Sequence, residues 1–107
     1  MPAQPLVVLT TLGSLDAARG FVRRLVDDRL IACGTVLPGA VSIYRWEGAV
    51  TEESEVVVLL KTDVGKWEAL CSAVRERHPY EVPELLALPV GRGLEPYLSW
   101  LADEMAG

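Results

Sequence analysis

Three stretches of this chain, Leu6–Leu9, Val56–Leu60 and Leu85–Leu88, are apolar at every position. Successive side chains of a strand leave on opposite faces, so an antiparallel sheet with one wet face alternates apolar with polar residues. Short runs that do not alternate predict strands buried on both sides. The chain has 107 residues, which makes it one domain, 1–107, able to bury roughly 65% of the surface its unfolded form exposes. Such a domain folds without disulfide staples, but it has little material to lay over the second face of its own sheet. Half of its residues are hydrophobic, toward the high end for a globular protein. Self-association is the simplest cover for the surplus.

Taken in order, Leu6–Leu9 is the first strand, breaking at Thr10-Thr11-Leu12-Gly13. Ser14 is placed to cap a helix, with Asp16 favourable at its positive end. Ala18, Phe21, Val22 and Leu25 give that helix an apolar stripe and carry it to about Leu30. From Ile31 to Trp46 the residues favour a long strand, bent where Pro38-Gly39 interrupts the ladder. Glu47-Gly48 reads as a tight turn, and the chain returns through Thr51–Glu55 into Val56–Leu60 to make a long hairpin. Asp63 is expected to cap a second helix whose stripe is Trp67, Leu70, Cys71 and Val74, ending near His78. A fourth strand, Leu85–Val90, precedes a short helix beginning near Pro96, with Tyr97, Leu98, Leu101 and Met105 on its apolar side. The order βαββαβ with an added helix predicts an α+β, ferredoxin-like sandwich: four antiparallel strands with two helices on one face.

The chemistry concentrates in His78-Pro79-Tyr80-Glu81-Val82-Pro83-Glu84, which holds the only histidine. Each proline fixes its own φ and pushes the preceding residue toward extended geometry, so this is a stiff connector running into the fourth strand. It carries an imidazole, a phenol and carboxylates, and equally suits a plain helix stop with His78 beside the negative helix end. A net charge of −5 argues against a nucleic-acid partner, which needs Lys and Arg to neutralise phosphates. The amino terminus, Met1-Pro2-Ala3-Gln4-Pro5, has no basic region, and the apolar run after it is too short for a signal core or a membrane span. Cys33 and Cys71 lack metal-type spacing and read as reduced thiols. The expectation is a cytoplasmic protein without membrane contact. No P-loop, GxGxxG, HExxH or nucleophile elbow is present, so binding is expected rather than catalysis.

Several motifs in fixed order then carry a resemblance: Ala32-Cys33, Pro38-Gly39, Ser42-Ile43-Tyr44, Trp46-Glu47-Gly48, Lys61-Thr62, the His78–Glu84 connector, Ala87-Leu88-Pro89-Val90 and Tyr97-Leu98-Ser99-Trp100. From first strand to last helix the chain resembles the CutA divalent-cation-tolerance family. The resemblance implies a compact homotrimer, similar to the PII signalling proteins, with hairpins reaching into neighbouring subunits. It also implies tolerance to divalent metals, copper above all. Gly34-Thr35 stands where many members have Val-Asn, Thr10 where some have cysteine, and Arg77 where some have a second histidine. The motif positions that match are Cys33, His78, Tyr80, Glu81 and Glu84. The expectation is a Cu²⁺ site near a subunit interface with His78 as main ligand and Cys33 and Glu84 as further donors, since Cu²⁺ heads the affinity series of the divalent ions. The alternative is a PII-like small-ligand sensor or protein-interaction module.

Overall fold

The computed structural model describes residues 4–106, so the amino-terminal Met1-Pro2-Ala3 read above lies outside the described residues, as does Gly107. Strand β1 spans Pro5–Leu12, helix α1 Leu15–Asp27, β2 Cys33–Trp46, β3 Ala49–Asp63, α2 Trp67–Arg77, β4 Leu86–Pro89 and α3 Glu95–Ala106. The four strands form one antiparallel sheet in the order β2-β3-β1-β4. This is the expected βαββαβ sandwich with an extra helix.

Alternation along the central strands sorts the residues. Leu6, Val8, Leu12, Val56, Val58 and Leu60 are buried and pack with Phe21, Leu25, Leu70 and Val74 of α1 and α2 in one core. The intervening Val7, Leu9, Val57 and Leu59 are only half-buried. Helix α3 packs at the Cys33 end of the sheet, where Tyr97 reaches Cys33 and Met105 reaches Thr62. Tyr97 meets the Cys33–Lys61 side and Met105 the Thr62 side, so α3 closes this end of the sheet and leaves most of the second face open.

The hairpin sets the shape. Fourteen residues of β2 at about 3.3 Å each account for the 46 Å long axis of the molecule. Its turn is two residues long, between the paired Trp46 and Ala49. Glu47 and Gly48 both have positive φ, 49° and 83°, the requirement of a type I′ turn whose twist matches the strands. At Pro38-Gly39 the register shifts between Leu37↔Val57 and Ala40↔Glu55, so two residues of β2 oppose the single Val56. That is a β-bulge on an edge strand, where proline's missing N–H costs no ladder bond.

The structure moves several boundaries. Strand β1 runs on to Leu12, because Thr10 and Thr11 stay in register with Val58 and Val57. Helix α1 stops at Asp27, short of Leu30. Its end is a Schellman motif: Leu30 N–H donates to Leu25 O and Arg29 N–H to Val26 O, with Arg29 at φ 57°. Asp63 caps the 3-10 turn Val64–Lys66 through Gly65 N–H, and α2 follows without a side-chain cap. Strand β4 is shorter than expected, and α3 begins at Glu95 with Pro96 second. Tyr97 and Trp100 stay exposed while Leu101 and Met105 turn inward.

Gly34 has a packing reason of its own. A Cβ there would lie 2.6 Å from Val22 Cγ1 and 3.2 Å from Leu60 Cδ2, so α1 sits closer to β2 than a side chain permits. Gly34→Val is expected to destabilise by about 2 kcal/mol through overpacking, a fall of roughly 10 °C in melting temperature for a domain this size. Adding Val22→Ala should recover part of that loss, and thermal unfolding of the three variants checks it.

Candidate functional site

Pro79 ends α2 by holding His78 extended, at φ −75° and ψ 134°, after its backbone N–H has made a last helical bond to Val74 O. The ring then turns inward against Phe21 and Tyr80. Its Nδ1 accepts the Tyr80 backbone N–H at 3.1 Å, which puts the proton on Nε2, and that atom donates to Thr11 O at 2.8 Å. The imidazole thus pins the connector to the end of β1.

Burial lowers the His78 pKa, outweighing the Thr11 carbonyl and the Glu55 carboxylate, which favour the charged ring. Neutral His78 is therefore the folded form. Because the folded pKa lies below the unfolded value of about 6.5, the unfolded chain binds more protons in that window. Stability from this group is complete above about pH 6.5 and is lost as pH falls below it. Denaturant midpoints measured from pH 7.5 to 5 should fall, and the fall should be smaller in His78→Asn.

Tyr80, held by that bond, points its hydroxyl at β3 and donates to Glu55 Oε2 at 2.7 Å. The connector and the hairpin then enclose a cleft of ≈ 750 Å³. One wall is Ser42, Tyr44 and Trp46 of β2 with Thr51, Glu53 and Glu55 of β3, and the other is Tyr80–Glu84. The strand period puts the first set on one face, with Ser42 paired to Glu53 and Tyr44 to Thr51. Four carboxylates, Glu53, Glu55, Glu81 and Glu84, line the cleft, and no Lys, Arg or His does. Burial, then the Glu55 carboxylate, pushes the Tyr80 phenol well up, and Tyr44 is raised by burial and then by Glu53. Both phenols stay neutral donors at any physiological pH.

The expected metal site is not assembled within one subunit. His78 offers no lone pair, since one nitrogen accepts an N–H and the other carries a proton. As placed it is a structural pin, with both ring nitrogens engaged within the subunit. Glu84 lies on the exposed rim of the cleft. Cys33 is at the far end of the sheet, opposite Lys61. Lys61 lies six positions along β3 from Glu55, about 20 Å along a strand. Cys33 is a free, half-buried thiol with its Sγ 3.5 Å from the Tyr97 hydroxyl. Among the described residues no three His, Cys, Asp or Glu side chains converge on one metal-sized point.

Sequence reasoning assigned no binding role to Glu53, Glu55, Tyr44 or Trp46. The signal available was two i, i+2 sets, Glu53/Glu55 and Tyr44/Trp46, on adjacent strands of one hairpin, which the register places on the same face.

Comparison with known proteins places this geometry. The family model described as CutA1 divalent ion tolerance protein matches residues 6–104. The divalent-cation tolerance protein CutA of Thermus thermophilus is 44% identical over 97 residues, covering 91% of this chain and 94% of that protein. The CutA protein of Citrobacter koseri is 44% identical over 98 residues, covering 92% and 85%. Among solved structures, CutA from Xylella fastidiosa superposes with a TM-score of 0.91 at 39% identity, covering 94% of this chain and 97% of that one. CutA1 from Oryza sativa gives a TM-score of 0.93 at 33% identity, covering 96% and 94%. With the sandwich, the long hairpin and the His78–Glu84 connector all in place, this chain belongs to the CutA1 divalent ion tolerance family.

Proposed function

We propose that this chain acts as a cytoplasmic homotrimer that contributes to divalent-metal tolerance by binding copper between its subunits, without catalysing a reaction. The observation that carries the reading is apolar surface left open on both sides of the sheet. Val41, Ile43 and Val50 of the outer hairpin are exposed, Ile43 by 65%, and so are Leu86 and Leu88 of β4 on the opposite face, Leu88 by 56%. Large exposed apolar patches mark interaction surfaces, and β2 adds a fourteen-residue edge of the kind proteins cover to avoid uncontrolled pairing. A second and a third copy are the covers that the family resemblance implies. Two free thiols suit a reducing compartment.

Copper enters through Cys33. It is the soft donor of the matched motif positions, and soft thiolates favour copper over hard ions. Its place at the start of an edge strand, beside the exposed Tyr97, leaves it room to meet donors from another copy. Glu84, on the cleft rim, is a carboxylate that a neighbouring subunit can use in the same way.

Light scattering coupled to size exclusion tests the assembly. A mass three times the 11.7 kDa of one chain is expected at micromolar concentration, with Ile43→Glu shifting it toward monomer while the far-ultraviolet spectrum stays native. A monomeric wild type would overturn the reading.

A further inference from the structure

Between the end of α2 and the start of β4, residues 79–85 run without helix or strand. Among the described residues two hydrogen bonds hold that segment, and Tyr80 makes both. Its hydroxyl donates to Glu55 Oε2 at 2.7 Å, and its backbone N–H donates to His78 Nδ1 at 3.1 Å. Pro79 and Pro83 have no N–H with which to add a third.

The second bond exists in one protonation state only. Nδ1 accepts an N–H through its lone pair, and a protonated imidazole has none, since both of its ring nitrogens are donors. A proton on Nδ1 sets two donors against each other at the same place. The ring cannot turn away without giving up the bond from Nε2 to Thr11 O at 2.8 Å, and it is held edge-on against Phe21 in a site where His78 is 7% exposed. The exposed segment is the part free to give way. The groups that face the ring are Thr10 and Thr11 of β1, Phe21 of α1 and the Tyr80 phenol, all uncharged, with the Glu55 carboxylate of β3 favouring the charged ring. Arg77, next to it on α2, is turned to Asp28.

We infer that His78 is an acid-sensitive latch: the neutral ring holds residues 79–85 against the end of β1, and the protonated ring releases the Tyr80 amide and frees the segment while the sheet stays folded. The apolar core under the sheet is built without His78, so it does not open with the latch. Moving the phenol off Glu55 uncovers a carboxylate that is 8% exposed in the latched form. The device is independent of copper binding at Cys33.

Amide hydrogen exchange, which reports local opening separately from global unfolding, tests the inference on the full chain in its native assembly. It is followed residue by residue by NMR from pH 7.5 to 4.5, corrected for the intrinsic pH dependence of exchange, with the His78 ring nitrogen shifts recorded on the same samples. Protection of the Tyr80 amide is expected to fall at least tenfold, at the ring's own titration midpoint, while the amides of Val58 and Leu60 in central strand β3 stay protected. His78→Asn, whose side-chain oxygen accepts the same N–H and does not titrate, should keep Tyr80 protected throughout. Protection of Tyr80 unchanged across the titration, or lost at a midpoint away from the ring's, would overturn the latch, and these two wild-type midpoints decide it even where the variant fails to fold. An equal loss in folded His78→Asn would overturn it as well. So would loss at Val58 and Leu60 in step with Tyr80, which would make the acid transition one of global unfolding.

Discussion

Val58→Asp is expected to yield no folded protein. Val58 is fully buried, 0% exposed, between Thr10 of β1 and Val36 of β2, on the face that packs against α1 and α2. No cation lies in that core, so an aspartate there is either an unpaired charge or a protonated acid short of partners. Either costs several kcal/mol, on top of the lost valine packing, against a total stability of about 5–15 kcal/mol for a small domain. Val50→Asp, at a position 66% exposed near the hairpin turn, should leave the subunit folded. Circular dichroism of the soluble fraction distinguishes them, and a native spectrum for Val58→Asp would show that this strand face is wet.

The same alternation explains what the sequence made legible. Runs such as Val56–Leu60 cannot sit in a one-faced sheet, and they turned out as core residues alternating with half-buried ones. The bent strand was legible because Pro38-Gly39 cannot continue a regular ladder, and the turn because Gly48 admits a positive φ. The end of α1 was not. Its left-handed residue is Arg29, where glycine is the usual signal, so nothing in the residue types marked the stop. Thr10-Thr11 looked like a break because polar residues close the apolar run, whereas their β-branched side chains keep them in the strand.

The site was half legible. Two prolines announced a stiff connector, and the structure has it. Whether His78 closed a helix or held a metal depended on the Thr11 carbonyl, 67 residues away, and on the Tyr80 amide. No local pattern fixes the first of these. The cleft was hidden for a similar reason: its acids come from two segments that the fold alone brings together, and each set by itself resembles ordinary solvated surface. Tyr80 links the two features. It is positioned by His78 through its backbone and bonded to Glu55 through its hydroxyl, so the buried ring sets one wall of the cleft.

Copper binding is expected to follow Cys33 rather than His78. The thiol is free and half-buried at the end of an edge strand, whereas both imidazole nitrogens are engaged within the subunit. Cys33→Ser should weaken copper binding at least tenfold, a loss of about 1.4 kcal/mol or more. The deciding measurement is anaerobic calorimetric titration of Cu²⁺ into the wild type, Cys33→Ser and His78→Gln, with the assembled mass checked for each. Affinity is expected to be lost in Cys33→Ser and retained in His78→Gln. Affinity retained in Cys33→Ser and lost in a correctly assembled His78→Gln would contradict it.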